Sequence, residues 1–299
     1  MQWFKNLRVF RLAPDFSMSA EELHEALETQ AFQPCGSQEP HSMGWVPPRE
    51  GGLLAYAQEG QLLVCHRAEK KLLPASVINQ HAREKARDIE EQQGYKPGRK
   101  QMREIKEQII AELLPRSHAV QRDTLVWINT RNGWFVIDTA STSKGDEVLG
   151  LLAKTLDPFP LLPLYTELSP ASAMTQWLLD DEAPDGFSID QDAELRSTGD
   201  SGAAVKYVKH STDVDEVRKH VAAGKQCTRL ALTWADRISF VLDSGLEIKR
   251  LAPLDILTEK KEQLSNDDEL FAADFALMTA EVAQMLVGLV DALGGERRG

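Results

Sequence analysis

The order of apolar and polar residues predicts that the chain begins with a strand followed by a helix. Residues 3–12 are rich in aromatic and branched side chains, which is typical of a β-strand. Ser19 precedes Glu22 by three residues, the spacing of a capping box, and the helix that it opens is expected to run to about Gln30. Residues 60–67 predict a second short strand.

A long polar segment, residues 74–114, separates this start from the rest of the chain. Its apolar side chains are too few to bury a whole helix face, and Gly94, Pro97 and Gly98 interrupt it in the middle. We therefore expect two antiparallel helices joined by a turn, which together form an arm that protrudes from the protein.

Two later stretches resemble each other. Residues 123–141 and 227–245 each predict a strand, a short polar turn and a second strand, and Asn132-Gly133 is a strong hairpin signal in the first stretch. The second stretch continues into LEIKRLA and predicts a three-stranded meander. This pattern indicates one sheet in each half of the chain and a weak internal duplication, with the proline-rich residues 156–164 between the halves.

The C-terminal part predicts a loop region and then a long helix. Residues 180–194 are expected to form loop around a short helix, and residues 267–293 have the apolar spacing of an amphipathic helix that ends at Gly294-Gly295. The fold class is therefore α+β, with antiparallel sheets, flanking helices and a protruding helical arm. Four segments are expected: an N-terminal α/β part (1–73), the arm (74–118), a hairpin and helix (119–165) and a C-terminal α/β half with a meander and a terminal helix (166–299).

Charge is distributed unevenly along the chain. The net charge of −12 argues against a nucleic-acid binder, because Lys and Arg contacts to phosphate dominate such binding. Residues 67–122, however, hold thirteen basic side chains against eight acidic ones, which is a net charge of +5. Residues 180–194 hold seven acidic side chains and no basic one. The charge of the whole chain is therefore a poor guide to any single surface.

Composition, cysteine spacing and hydropathy limit which class of protein this chain can belong to. Hydrophobic residues make up 42% and charged residues 27% of the chain, which is ordinary globular composition. Cys35, Cys65 and Cys227 are widely spaced and odd in number, so neither a disulfide framework nor a zinc site is indicated. No uninterrupted apolar run reaches the ~18 residues of a membrane span, and the first residues lack the features of a signal peptide. We expect a cytoplasmic protein with no membrane partner.

No enzyme signature stands out. Cys35 and His41 lie six residues apart in a loop, where nothing enforces the geometry of a nucleophile and its base, so a turn that leads Trp45 and Val46 into the core is the better interpretation. The histidines lack metal-binding spacing, and no phosphate-binding glycine loop is present. The sequence therefore predicts a protein that is not an enzyme and needs no cofactor and no metal.

Basic residues on predicted strands are the remaining signal. In residues 203–210, strand alternation would place Lys206 and His210 on one face and Tyr207 and Lys209 on the other. Lys225 and Arg229 would share a face of the next strand. A basic sheet face beside a basic arm could follow phosphates without reading bases. The alternative is that these residues are only the solvated sides of a strand and of a helix pair.

Several motifs resemble one family along nearly the whole chain. They are WFKNLRVFRL at the start, AFQPCGSQEPHSMGWVPP, EKKLLPASVI, LLPR, GKQCTRLALTW with RISFVL, and FAADFALMTAEVAQMLVGLVDALGGE at the end. Together they resemble the recombination-associated protein RdgC family from Trp3 to Glu296. In that family the motif around Cys35 has no catalytic role, which agrees with its interpretation as a turn.

The resemblance implies a DNA-binding protein without enzymatic activity. Its two subunits would close into a homodimeric ring around double-stranded DNA, with single-stranded DNA as a further ligand to consider. Binding would be largely independent of sequence and would restrain RecA-dependent recombination, in a cytoplasmic, nucleoid-associated protein. The alternative is a regulator that acts mainly by direct protein contact with the recombination machinery.

The resemblance also suggests which residues contact DNA. Lys209 and His210 fall where the family has polar or basic residues facing the hole, and Lys225 and Arg229 match basic positions of the GKQCTRLAL strand. Arg116 lies in the matched LLPR, whereas His118 departs from the aromatic residue that can occur near the gate of the ring. The arm matches less well, and its candidate contacts are Lys96, Arg99, Lys100 and Arg103.

Overall fold

The computed structural model describes residues 2–199, 202–210, 212–258 and 266–297. The strands are β1 (Leu7–Leu12), β2 (His41–Val46), β3 (Ala55–Gln58), β4 (Gln61–Lys71), β5 (Ala119–Asn129), β6 (Trp134–Asp138), β7 (Leu161–Pro163), β8 (Phe187–Ser197), β9 (Ala204–Tyr207), β10 (Lys225–Trp234), β11 (Ile238–Asp243) and β12 (Ile248–Pro253). The helices are α1 (Ala20–Glu28), α2 (Ala75–Gln93), α3 (Arg99–Leu113), α4 (Thr142–Thr155), α5 (Pro170–Asp180), α6 (Val214–Ala222), α7 (Asp255–Thr258) and α8 (Asp267–Ala292). This is the predicted α+β class.

All the described strands join one antiparallel sheet. Its order is β2-β4-β5-β6-β1-β12-β11-β10-β8-β9, with β3 added beside β4 and β7 beside β1. The expectation of one sheet per half is therefore wrong. The two halves join because β1 pairs with β6 on one side and meets β12 on the other, where Leu7 lies opposite Ile248. The predicted hairpin β5-β6 and the meander β10-β11-β12 are both present.

Two local predictions need correction. β1 begins at Leu7 rather than Trp3, because Trp3 and Phe4 leave the sheet and pack in the core, where the Phe4 amide donates to Met278 Sδ of α8 at 3.3 Å. The acidic residues 180–194 are not mainly loop, since β8 begins at Phe187. Its acidic side chains alternate with core residues such as Leu195, and a strand tolerates them because one of its faces is solvated.

Helices cover the two halves of the sheet differently. In the first half, α1 and α4 pack on one face through a core that includes Leu23, Leu27 and Val148. The other face contributes Leu63, Trp127 and Trp134 to a larger core with α8. In the second half, α5 and α8 lie on the face formed by residues such as Leu230, Phe240 and Leu242. The opposite face of β8–β12 is left largely uncovered, and it is called the open face below.

Helix α8 is long and apolar enough to cross a membrane by length and composition alone. Half of its most apolar window is buried inside the protein. Phe275, Met278, Val282, Met285 and Leu286 belong to the larger core, beneath both halves of the sheet. This burial accounts for the apolar composition of α8 as that of a central core helix.

Helices α2 and α3 form the predicted arm. The chain breaks between them where expected, with Gly94 in the left-handed conformation (φ 81°) that ends α2. Ala82, Ile105 and Ile109 give the pair a small core of its own. The Lys85 and Glu112 side chains meet at 3.4 Å, which shows that the helices run antiparallel.

A turn at residues 33–40 is fastened beside the base of the arm. The Cys35 amide donates to Glu69 Oε1 at 2.7 Å, and Lys71 Nζ donates to the Gly36 and Ser37 carbonyls at 2.6 and 2.7 Å. Trp45 and Val46 are buried, as predicted for this motif. Burial raises the pKa of the Cys65 and Cys227 thiols to about 12, so both remain protonated at neutral pH.

We expect Gly44→Ala to destabilise the protein. A Cβ at Gly44 would lie 2.3 Å from the Phe32 Cα and 2.5 Å from the Phe32 amide nitrogen, and backbone has little room to yield. The expected loss in the free energy of unfolding is about 1–3 kcal/mol by denaturant titration. Gly150→Ala is the matched control: outside its own stretch of helix, no atom of the described residues lies within 4 Å of the added Cβ, and alanine in helix α4 should stabilise by about 0.5–1 kcal/mol. Equal effects of the two changes would contradict this account.

His66 should make stability depend on pH. It is buried against Trp45 with 5.9 Å between the ring centroids, and its Nε2 has no hydrogen-bond partner among the described residues. Burial lowers its pKa from 6.5 to about 4. Because the unfolded chain binds the proton more tightly, the free energy of unfolding should fall as pH drops from 6.5 towards 4, by about 1.4 kcal/mol per pH unit. Urea titrations at several pH values measure this pH dependence, and the His66→Phe variant should lose the part that His66 contributes. An unchanged pH dependence in this variant would refute the role of His66.

Candidate nucleic-acid interface

The structure places the predicted DNA-contacting residues in three separate regions. Lys96, Arg99, Lys100 and Arg103 lie at the tip of the arm, and Arg116 and His118 lie at its base. Lys209, His210, Lys225 and Arg229 belong to the second half of the sheet. A single subunit therefore does not bring all ten residues to one surface.

The arm tip is the strongest positive feature. Residues 95–103 contain four basic side chains and no acidic one. Tyr95 beside them is 65% exposed. Among the described residues, no carboxylate forms an ion pair with Lys96, Arg99 or Lys100, and Arg103 has only an exposed helical neighbour, Glu107, at 3.6 Å. These cations are therefore available for an anion.

The start of helix α3 adds to this positive potential. Gly98 caps the helix without any side-chain hydrogen bond, and its first turn contains no acidic residue. The free amides and the helix dipole place partial positive charge beside the Arg99 and Lys100 side chains. The tip therefore combines full and partial charges of the same sign.

Arg116 and His118 are exposed where the arm returns to the sheet. Arg116 ends a short 3₁₀ turn, and the His118 carbonyl accepts a hydrogen bond from the Leu72 amide at 2.7 Å. Leu72 and Val120 are exposed apolar neighbours in this region. The base of the arm is thus mixed apolar and basic, unlike the tip.

Lys225 and Arg229 do not share a face of strand β10, contrary to prediction. The register pairs Cys227 with Leu195 and Arg229 with Glu194, so one extra residue, Thr228, is inserted between them. Such a β-bulge reverses the direction of the following side chains. Lys225 consequently lies beside Gln176 and Leu179 of α5, on the helix-covered side, whereas Arg229 lies on the open face.

The predicted alternation through residues 206–210 also stops early. Strand β9 ends at Tyr207, and Lys209 adopts a left-handed backbone (φ 51°) with its amide donating to Asp192 Oδ1 at 2.8 Å. The His210 amide donates to the Gln191 carbonyl at 3.1 Å. Lys209 therefore lies beside β8 at the margin of the open face, and a turn after β9 rather than strand periodicity places it there.

The open face carries a row of alternating charges that crosses the sheet. From the edge inwards it contains Lys206, Glu194, Arg229, Asp243, Lys249, Glu247, Arg8 and Asp146, here called the charge row. Its successive N to O distances are 3.3, 3.8, 3.2, 3.3, 2.9, 4.0 and 3.2 Å. Each cation of the row already has a carboxylate neighbour, so the open face is not a bare basic surface.

Two carboxylates of the charge row have lowered pKa values. The Arg196 hydrogen bond is the main cause for Glu194, with Lys206 adding to it. For Asp243, burial disfavours the charged form, but the Gly245 amide and Lys249 outweigh burial and the pKa is still lowered. Both groups therefore stay ionised at neutral pH, and the cations around them remain oriented.

Sequence reasoning missed part of this surface. Lys206, Lys249 and Arg250 line the open face but were not among the candidate contacts, and Glu194 seemed only one acid in an acidic stretch. Adjacent Lys249 and Arg250 in a predicted strand was the available signal. Nothing in the sequence marked the bulge at Thr228, which decides the direction of Arg229.

Comparison with known proteins identifies the relatives of this chain. The family model described as "RdgC: Putative exonuclease, RdgC" matches residues 2–296. The recombination-associated protein RdgC of Bordetella parapertussis is 59% identical, that of Herminiimonas arsenicoxydans 54% and that of Cupriavidus necator 52%, each with 99% of both chains covered. With a family match over nearly its full length and relatives above half identity, the chain belongs to the RdgC family.

Proposed function

We propose that this protein binds double-stranded DNA without sequence preference, as a dimeric ring, and thereby restrains RecA-dependent recombination. The observation that carries the DNA-binding part is the arm tip, where Lys96, Arg99 and Lys100 have no acidic partner among the described residues. The relatives' name, recombination-associated protein, agrees with a ligand used in recombination.

Electrostatics favours binding to the backbone rather than to bases. Cations on flexible, exposed side chains neutralise phosphates and release counterions, and this contribution is the same for every sequence. The total charge of −12 would repel DNA from most of the surface. A ring with its few unpaired cations turned inwards would reconcile the two properties.

A two-fold ring needs two self-complementary contacts per subunit. The two ends of the sheet are strands β2 and β9, and the arm projects from the end of β4 and β5. Exposed apolar side chains at the arm base, Leu72, Val77 and Val120, are suited to one contact, and the free edge of β9 is suited to the other. These two surfaces are therefore the candidate contacts of the proposed ring.

A second candidate function is regulation by direct protein contact. Asp180, Asp181, Glu182 and Asp185 form an exposed acidic group where α5 ends, and their charge would attract a basic protein surface rather than DNA. The two functions differ in outcome, because inhibition through protein contact would survive the removal of the arm-tip cations.

Replacing the arm-tip cations should weaken DNA binding. For Lys96→Ala, Arg99→Ala and Lys100→Ala combined, we expect a lower affinity for linear duplex, and a plot of log K against log salt that is shallower by up to about 2.7, at roughly 0.9 per phosphate contact. Fluorescence anisotropy across a salt series measures both quantities, and light scattering measures subunit mass in parallel. The wild type is expected to be a dimer.

The matched control removes three exposed cations outside the arm: Lys5→Ala, Lys144→Ala and Lys154→Ala. It changes the total charge equally but should leave the slope unchanged. If both triple variants lose the same affinity, the arm tip has no special role. If neither loses affinity while inhibition of RecA persists, the protein-contact function is favoured.

We also propose that the protein does not degrade DNA. Among the described residues, no group of three or more His, Cys, Asp or Glu side chains is arranged to hold a metal ion. End-labelled duplex and single strands incubated with the protein and Mg²⁺ or Mn²⁺ should remain intact on a denaturing gel. Progressive shortening that follows the protein through purification would support the exonuclease named in the family description.

A further inference from the structure

A concave region on the open face brings four cations together. It has a volume of about 460 Å³, and its charged lining is Lys206, Arg229, Lys249, Arg250, Asp192 and Glu194. The lining itself has four positive and two negative charges, and Asp243 and Glu247 beside it pair with Arg229 and Lys249. We refer to this region as the bay.

Glu194 is the most enclosed charged group of the bay. It is 5% exposed, although it lies on a sheet face without a covering helix. The cations themselves enclose it: its carboxylate meets Arg196 Nη2 at 2.7 Å, Lys206 Nζ at 3.3 Å and Arg229 Nη1 at 3.8 Å. The side chains of these cations are about half exposed, so one inner carboxylate holds three outward-facing donors.

Strand geometry explains this convergence. Lys206 of β9 lies directly opposite Glu194, and the Thr228 bulge turns Arg229 of β10 to the same point from the other side. Arg196 follows two residues later on the same face of β8. Without the bulge, Arg229 would point to the helix-covered side, and Glu194 would have one cation fewer.

Such a centre has binding capacity left for a second anion. Arg has five N–H donors and Lys has three, and Glu194 occupies only some of them. Ordering long basic side chains costs conformational entropy, which an inner carboxylate lowers for the next ligand by holding them in place. The same carboxylate also cancels part of their charge.

We propose that the bay binds backbone phosphate and that Glu194 is a positioning residue that orients Arg196, Lys206 and Arg229 and limits the affinity of the bay. This inference rests on the proposed DNA-binding function, and it adds Glu194 with Arg196 and Lys206 to the contact that the family resemblance implies for Arg229. The Glu194 carboxylate has two opposing effects on phosphate affinity. It orients the basic side chains, which favours binding, and it neutralises part of their charge, which weakens binding. The variant Glu194→Gln keeps hydrogen-bonding atoms at the same place but removes the charge.

The test compares full-length variants on linear duplex DNA across a salt series. Glu194→Gln should bind about three- to tenfold more tightly at low salt, with a slope steeper by up to about 0.9. Lys206→Ala with Arg229→Ala should bind more weakly, with a shallower slope. Glu25→Gln is the matched control, because it removes one exposed carboxylate of α1 and should leave the slope unchanged.

A purely structural role of Glu194 would change the unfolding temperature without changing the slope. The proposal would therefore be overturned if Glu194→Gln bound DNA with the same salt slope as the wild type and as Glu25→Gln. If Glu194→Gln does not fold, the double variant Lys206→Ala, Arg229→Ala provides the test. A wild-type salt slope in this double variant would reject phosphate binding in the bay.

The outcomes also separate this inference from the proposed function. If the arm-tip variant loses binding and no bay variant has an effect, the proposed DNA-binding function is supported and the bay is rejected as a phosphate site. If the wild type does not bind duplex at all, the proposed function fails, and inorganic phosphate becomes the probe. A phosphate-dependent rise in unfolding temperature that is larger for wild type than for Lys206→Ala, Arg229→Ala would then support an anion site, and equal rises would reject it.

Discussion

The pairing of β1 with both β6 and β12 is the contact on which the rest of the structure depends. Leu7 is fully buried at this junction, opposite Ile248, and residues from the two ends of the chain meet there. Helix α8 lies beneath the junction and takes Trp3 and Phe4 into the same core as the second half of the sheet. The arm emerges from β4 and β5, and the open face is formed by β8–β12, so both are attached to one continuous sheet. Backbone pairing therefore sets their positions relative to each other.

The charge row reinforces this junction from the open side. Arg8 of β1 meets Asp146 of α4 in the first half and Glu247 of the second half, so an ion-pair network bridges the two. Exposed ion pairs contribute little stability singly, and a connected row is worth more than its members when its side chains are partly buried. The close packing of Arg8 over Gly145, where a Cβ would lie 2.0 Å from Nη1, indicates that this end of the row is tightly held.

The arm tip and the open face differ in whether their cations have carboxylate partners. At the arm tip the cations stand on a small helical hairpin with little core of its own, so they are free to adapt to a ligand. On the open face the cations form ion pairs with carboxylates of the sheet, so a bound anion would share each cation with a carboxylate. The first arrangement suits the capture of anions in many geometries, and the second suits contact with an anion in one geometry.

What the sequence by itself determined was mainly local. The break at Gly94 to Gly98 placed two helices, Asn132-Gly133 placed a hairpin, and the spacing of apolar residues after Asp267 placed a long helix, because each signal acts over a few neighbouring residues. The family also followed from contiguous motifs. Tertiary structure alone decided that the halves share one sheet, because that depends on β1 pairing with a strand more than 200 residues away. It also decided that Arg229 leaves the face of Lys225 and meets Glu194, since a one-residue bulge reverses a strand's faces and its position depends on the partner strand.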